Sequence, residues 1–229
     1  MLLTETHHAA ILVEFYKELI SVCGKARGYD IFMTAGRSYG GRRGRRMALR
    51  AMRDGNPLDT TSYFAYGELL CTEGGYAGEL YEAFPVVHEH QEECMWAEVF
   101  HRECHQCGVD YCREIDEAIV RGFNPTLQFE CMQNMHLTHS CDFYYHGKEI
   151  TADFMSTYSS RLVPGVSTKR KMAYHCADMY DMYCYVICSV LPDRAQDIIS
   201  AVRGRLTEKY GLGFLPALDA YQSTDFNQI

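Results

Sequence analysis

The segment from residue 94 to residue 146 constrains the fold more than any other part of the chain, because helical and strand patterns follow each other closely in it. Helical patterns cover residues 94–107 and 109–122, and strand patterns cover residues 127–137 and 141–146. The second helix is predicted to end at Gly122, before the turn Asn124-Pro125. In both strands apolar and polar residues alternate, which is typical of half-buried strands. The segment therefore predicts a β-hairpin within a sheet that has helices against one face.

Helical patterns also occupy both ends of the chain. They cover residues 6–22, 32–52, 172–191 and 193–210. Residues 80–92 resemble a strand whose first half Pro85 limits to a sheet edge or a bulge. We therefore expect a single α+β domain over residues 1–229, with an antiparallel sheet flanked by N-terminal and C-terminal helices. The polar tail at residues 221–229 is expected to be disordered.

Glycines interrupt the helical pattern at residues 32–52. They stand at positions 36, 40, 41 and 44. Each costs about 1 kcal/mol relative to alanine in a helix interior. So many glycines predict close packing, a kink or a bound group at this helix.

Composition and charge exclude several classes of protein. A net charge of -8 disfavours nucleic-acid binding, which draws its affinity from an excess of Lys and Arg. The start of the chain resembles neither a signal peptide nor a membrane span, because charged residues interrupt its apolar residues. We expect a cytoplasmic protein, in which the 11 cysteines are thiols, core residues or ligands rather than disulfides. Dinucleotide, P-loop and serine-hydrolase motifs are not found.

Short motifs between residues 39 and 143 resemble one known family. They are YGGRRGRRMA at residues 39–48, a tyrosine-containing segment at 62–67, CMW at 94–96, YCREID at 111–116, GFNP at 122–125 and CDF at 141–143. Their order resembles the L-2-amino-thiazoline-4-carboxylic acid hydrolase family over most of residues 5–146. The resemblance implies a small hydrolase that opens a cyclic, non-peptide C–N bond of an amino-acid-derived heterocycle. A carbamoyl-cysteine-type product and a small-molecule carboxylate substrate are implied as well.

Cys112 and Asp116 lie one helical turn apart and therefore face the same way. With the resemblance they become candidate catalytic residues, together with Cys94 and Cys141, and all four are expected in one pocket. Either a thiolate attacks the ring carbon, or Asp116 activates water or holds the amidine-like group. The alternative is a buried structural cysteine beside a surface or capping aspartate.

Substrate contacts are expected from four other residues. Arg42 and Arg46 share a helix face and could hold a carboxylate, unless they pair with the protein's own acids. Asn124 is expected at the pocket rim, as a donor or as a turn cap. Asp142 is a further candidate, although it and Cys141 must point to opposite faces of their strand, with Cys141 inward.

A metal site is the alternative to a cofactor-free enzyme. Zinc or iron ligands are offered by Cys104-x2-Cys107 with His101, His105 and Cys112, or by the set Cys94, Cys112 and Cys141. A competing function is a non-enzymatic sensor or binding module that captures a small ligand or metal and whose helices form a homodimer. Cysteines and a tyrosine at positions 176, 180, 184 and 188 are expected to form a core face instead.

Overall fold

A computed structural model describes residues 1–82, 84–147 and 150–229. The helices are α1 (Glu5–Cys23), α2 (Lys25–Arg53), α3 (Thr60–Ala65), α4 (Met95–Glu103), α5 (His105–Cys112), α6 (Ile115–Phe123), α7 (Phe154–Thr157), α8 (Met172–Val190), α9 (Ala195–Tyr210) and α10 (Phe214–Asp219). The strands are β1 (Leu69–Leu70), β2 (Tyr76–Glu82), β3 (Val86–Cys94), β4 (Gln128–Gln133), β5 (Cys141–His146) and β6 (Arg170–Lys171). A 3-10 turn spans Tyr158–Arg161. This α+β architecture, with helices at both ends of the chain, confirms the fold class predicted from the sequence.

Four strands form an antiparallel sheet in the order β2-β3-β5-β4. β4 and β5 are the predicted hairpin, and β5 also pairs with β3, where His90 lies opposite Asp142. The prediction of one strand over residues 80–92 was wrong, because β2 and β3 are two strands that turn near Phe84 and Pro85. Proline has no N–H for the ladder, so it marks the turn between the strands. Ala83 lies outside the described residues.

Helix α1 forms the centre of the helical layer. It packs against α2, α4, α8 and α9, and its residues from Ala9 to Val13 are fully buried. Apolar side chains around the helix, rather than along one stripe, are typical of a helix buried in the core. Tyr16, Phe32 and Tyr183 extend this core between α1, α2 and α8 through ring contacts.

The glycines of α2 allow α6 to approach its backbone. A Cβ at Gly40 would lie 2.8 Å from the Cβ of Ala118, and a Cβ at Gly44 would clash with the carbonyl oxygen of Ile119. Conversely, a Cβ at Gly122 would meet the backbone of Gly41. The glycine-rich pattern therefore reflects close helix packing, the first of the three predicted explanations. The close approach also brings the neighbouring side chains of α2 and α6 to one place.

The C-terminal helices cover the other side of α1 and α2. On α8, Cys176 is fully buried while Cys188 is exposed, so the expected core face covers only the first part of the four-residue stripe. The polar tail was expected to be disordered, yet Phe226 is buried and its carbonyl accepts a hydrogen bond from Arg46 at 2.6 Å. Among the described residues, every helix is too short or too polar to cross a bilayer.

Candidate active site

A cavity opens between the helical layer and the inner face of the four-stranded sheet. Residues from α1, α2, α4, α5, α6, five strands and the segment after β4 line it: His8, Tyr39, Arg43, Leu69, Tyr76, Gln91, Cys94, Trp96, Tyr111, Cys112, Ile115, Asp116, Ile119, Cys131, Asn134, Cys141 and Phe143. Its wall is mostly apolar and aromatic, with a few polar groups, as is usual for small-molecule sites. A second cavity shares Arg43, Tyr76 and Asp116 with it and adds Glu89.

All four candidate catalytic residues line the first cavity. Cys94 ends β3, Cys112 ends α5, Asp116 lies in the first turn of α6, and Cys141 begins β5. Residues up to 47 positions apart in the sequence thus meet in one place. Their geometric convergence is as expected, and their catalytic roles stay predictions.

Asp116 is an unpaired carboxylic acid in this cavity. It has no hydrogen bond or ion pair with any residue that the structure describes. Its pKa is raised to about 7, chiefly by burial and also by the negative charge of Glu89, while the positive charge of Arg43 opposes both. A carboxyl group with a pKa near neutrality can accept and return a proton under physiological conditions.

Arg43 is the arginine of α2 that faces the cavity. The structure gives it no hydrogen bond and no ion pair among the described residues, and its Nε is buried without a partner. Its guanidinium lies 5.6 Å from the ring centroid of Tyr39, within the range of a cation–π contact. A half-buried cation with free donors favours binding of an anion from outside the protein.

Arg42 and Arg46 do not line the cavity. The expectation that these two residues of α2 contact a substrate is therefore corrected. They share a helix face, as predicted, but that face lies against α8 and the segment before β1. Arg42 pairs with Asp178 and Asp181, and Arg46 pairs with Glu68 at 2.8 Å and Asp178 at 2.7 Å. Both arginines thus pair with acids of the protein itself, which was the alternative to substrate binding in the sequence analysis.

Asn124 and Asp142 also lie outside the cavity. Asn124 donates to the carbonyl oxygen of Leu58 at 2.7 Å, and its own oxygen accepts from Thr126, so it caps the turn after α6. Asp142 points to the opposite sheet face from Cys141, as expected from the alternation of the strand, and lines a separate groove there.

The cavity thiols are held in their neutral form. Burial raises the pKa of Cys141 to about 12 and that of Cys131 to about 11. Burial also raises the pKa of Cys112 well above its ordinary value, and nearby Cys94 and Asp116 add to this. At Cys94 burial raises the pKa, while the backbone amides of Ala97 and Trp96 oppose the increase. Thiolates are therefore scarce in this site at neutral pH.

A hydrogen-bonded row of aromatic side chains orients one hydroxyl at the cavity. Trp96 donates its indole N–H to Nδ1 of His8 at 3.0 Å, and Nε2 of His8 lies 3.2 Å from the hydroxyl of Tyr39. Burial, with Arg43 nearby, lowers the pKa of His8 to about 3, so the ring is neutral. Since Nδ1 accepts, Nε2 carries the proton and donates to Tyr39. The hydroxyl proton of Tyr39 is then available to a ligand.

Comparison with known proteins identifies the family of the chain. The sequence profile of L-2-amino-thiazoline-4-carboxylic acid hydrolase matches residues 4–145. The chain belongs to the L-2-amino-thiazoline-4-carboxylic acid hydrolase family. No curated protein and no solved structure matches it. Every residue that lines the cavity falls within the segment matched by this hydrolase family, whereas α8 and α9 lie beyond it.

Several cavity residues of this family member were not named as site candidates from the sequence, although Tyr39 and Arg43 lie within the motif at residues 39–48. They are His8, Tyr39, Arg43, Tyr76, Gln91 and Asn134, with Glu89 in the adjoining cavity. The sequence did contain a signal for Arg43, because this residue lies between Gly40 and Gly44. These glycines mark where α2 packs closely against α6, and Arg43 lies at the edge of that contact. His8 carried none, because a histidine in an apolar helix is more often a core residue than a ligand contact.

Two groups of described residues have ligand atoms within 4.8 Å of one another, as a metal site requires. One is His101, His105 and His136, and the other is His88, His90 and Asp142. Among the described residues, neither group contains a cysteine, so the expected cysteine ligand sets do not appear. Cys107 is fully buried in the core, whereas His101 and His105 are exposed.

Proposed function

We propose that the protein is a hydrolase that opens a small, carboxylate-bearing heterocycle of the 2-amino-thiazoline type. The observation that carries this proposal is that one largely apolar cavity is lined by a cation, Arg43, and an acid, Asp116. Neither has an ion-pair or hydrogen-bond partner among the described residues. Membership of the hydrolase family supports it. The two groups match the two charged ends that such a substrate presents.

Arg43 is proposed to bind the substrate carboxylate. Five of the seven arginines from Arg37 to Arg53 are paired with acids of the protein, and Arg45 is exposed. Arg43 alone among these described residues combines a place in the cavity wall with free donors. A guanidinium binds a carboxylate through two parallel N–H donors, which fixes the orientation of the ligand.

Asp116 is proposed to act on water at the ring carbon that lies between sulfur and nitrogen. As a carboxylate it accepts a proton from the attacking water, and its pKa near 7 lets it hold that proton and return it to a leaving group. The raised pKa of each cavity thiol disfavours the covalent route, which requires a thiolate. We therefore favour the water route of the two that the sequence leaves open.

The bond proposed to break is the ring C–N bond, as the resemblance implies. Water adds to the amidine-like carbon between sulfur and nitrogen. The ring nitrogen then leaves as a free amine, and the sulfur stays on the carbon, which becomes the carbamoyl group of a carbamoyl-cysteine-type product. The proton that Asp116 takes from water goes to the departing nitrogen, and no oxidant or further reactant is needed. The hydroxyl of Tyr39 is available to donate to the substrate during this step.

Turnover of 2-amino-thiazoline-4-carboxylate by the purified chain tests the proposal. Mass spectrometry follows the gain of one water, and an amine reagent detects the free amine that C–N cleavage releases. A product thiol that can be alkylated would show instead that the C–S bond breaks. Loss of turnover in Asp116→Asn, with turnover retained in the exposed variant Arg45→Gln, supports the assigned site. If the compound raises Tm but is never converted, the chain is a binding module of this family instead.

A further inference from the structure

The outer face of the sheet carries a second cluster of chemistry-bearing residues, remote from the proposed reaction. His88 and His90 lie on β3, and Asp142 lies on β5 opposite His90. Nε2 of His88 and Nδ1 of His90 lie 2.7 Å and 2.8 Å from the same oxygen, Oδ1 of Asp142. Each of the three side chains is at most 15% exposed.

Neighbouring side chains fix the orientation of all three groups. Ser140 donates to the other carboxylate oxygen of Asp142 at 3.1 Å, and Gln133 donates to that oxygen as well. The ring of His88 stacks on Tyr144 with centroids 4.3 Å apart, and the ring of His90 stacks on Tyr81 at 4.4 Å. Outer contacts that hold imidazole and carboxylate groups in place are typical of metal sites in proteins.

We propose that His88, His90 and Asp142 bind a divalent first-row transition ion such as Zn²⁺. Two imidazole nitrogens and one carboxylate oxygen are a donor set that such ions accept, and three protein ligands leave a position for water. The groove beside them, lined by His90 and Asp142, gives the ion access from solvent. Binding replaces the two hydrogen bonds between the ring nitrogens and Oδ1 of Asp142 by bonds from these atoms to the ion.

The other histidine group is a weaker candidate and provides a matched control. His101 and His105 are exposed, and Nε2 of His136 is buried without a hydrogen-bond partner. A ligating histidine usually donates its second N–H to an acceptor, which His136 lacks among the described residues. No carboxylate belongs to this group of three, so it offers no negative charge to the ion.

Metal binding by the full, metal-stripped chain tests the proposal. Titration with Zn²⁺ is expected to show one equivalent bound, and Zn²⁺ at 100 times its Kd is expected to raise Tm by about 5–10 °C. His88→Gln/His90→Gln should lose both effects, and His101→Gln/His105→Gln should keep them. The proposal is overturned if no stoichiometric binding occurs, or if the first variant binds Zn²⁺ as tightly as the natural chain.

Co²⁺ provides a readout that does not depend on the folding of the first variant. The natural chain loaded with Co²⁺ should show ligand-field bands without a thiolate-to-cobalt charge-transfer band. A thiolate band would place the ion at the cysteines. Loss of Co²⁺ binding in His101→Gln/His105→Gln would place it at the other histidine group. Either result contradicts the proposal, and retention of binding without a thiolate band supports it.

Discussion

Arg43 on α2 and Asp116 on α6 line the same cavity, and neither forms an ion pair with any residue that the structure describes. Their proximity follows from the glycines of α2, which let the two helices approach until Gly40 meets Ala118. Arg43 lowers the pKa of Asp116 without compensating for burial and Glu89. This imbalance leaves an acid that titrates near neutrality beside a cation with free donors.

Replacement of Asp116 by asparagine is expected to lower kcat/KM by about 10²- to 10⁴-fold, the usual contribution of a general base. In the natural enzyme, kcat/KM should rise as pH increases through about 7, because the carboxylate is the active form. The variant should lose this limb of the pH profile. Steady-state rates between pH 5 and 9 provide the measurement. A variant that keeps both the rate and the pH dependence would exclude Asp116 from the reaction.

The same substitution is expected to change stability in a pH-dependent way. The folded pKa of about 7 lies above the ordinary value of 3.8, so the folded state binds more protons than the unfolded state between these values. Stability therefore falls as pH rises from about 4 to about 7, and stays reduced above that range. Asp116→Asn should be more stable than the natural chain at pH 8, by up to about 4 kcal/mol, and equally stable near pH 4. Denaturant unfolding at both pH values measures this, and an equal difference at the two would contradict the assigned pKa.

Replacement of Arg43 by glutamine is expected to raise KM about 10- to 100-fold, since a hydrogen bond to a charged group contributes about 1.5–3 kcal/mol. Arg43→Lys should recover part of the loss, because charge is kept while the two parallel donors are lost. Arg45→Gln, an exposed position on the same helix, is the matched control and should keep the natural KM. An unchanged KM in Arg43→Gln would mean that the carboxylate binds elsewhere.

The sequence predicts the cavity cysteines better than it predicts the arginine. The family resemblance implies that Cys112, Asp116 and Cys141 share a pocket. Helix and strand periods add that Cys112 and Asp116 share a helix face and that Cys141 points inward. Periodicity also pairs Arg42 with Arg46 correctly. It does not tell which face of α2 meets the cavity, since that depends on where α6 and α8 pack. For the same reason the long-range contacts of His8, at residue 39 and residue 96, have no local signal.

The cysteines are expected to be less reactive than the motif suggests. Burial raises the pKa of Cys112, so iodoacetamide at neutral pH should modify the exposed Cys188 first. This reverses the order expected from a nucleophilic Cys112. Cys112→Ser and Cys94→Ser should each keep kcat/KM within about tenfold if water is the attacking group. Peptide mass spectrometry and rate measurements provide the tests, and a loss above 100-fold with an unchanged Tm would restore the thiolate route.

Gly44 is expected to be the glycine of α2 that tolerates substitution least. A Cβ there would clash with the Ile119 carbonyl oxygen and lie 2.5 Å from the backbone nitrogen of Phe123, and backbone atoms of a packed helix cannot move aside cheaply. Gly44→Ala should therefore lower the free energy of unfolding by about 1–3 kcal/mol and reduce kcat/KM, because α2 and α6 must separate. A Cβ at Gly41 would meet no atom within 4 Å, so Gly41→Ala should raise stability by up to about 1 kcal/mol through helix propensity. Denaturant unfolding of both variants measures the difference. If the two variants were equally stable, the approach of α6 to α2 would not depend on Gly44. Another contact would then hold Arg43 beside Asp116.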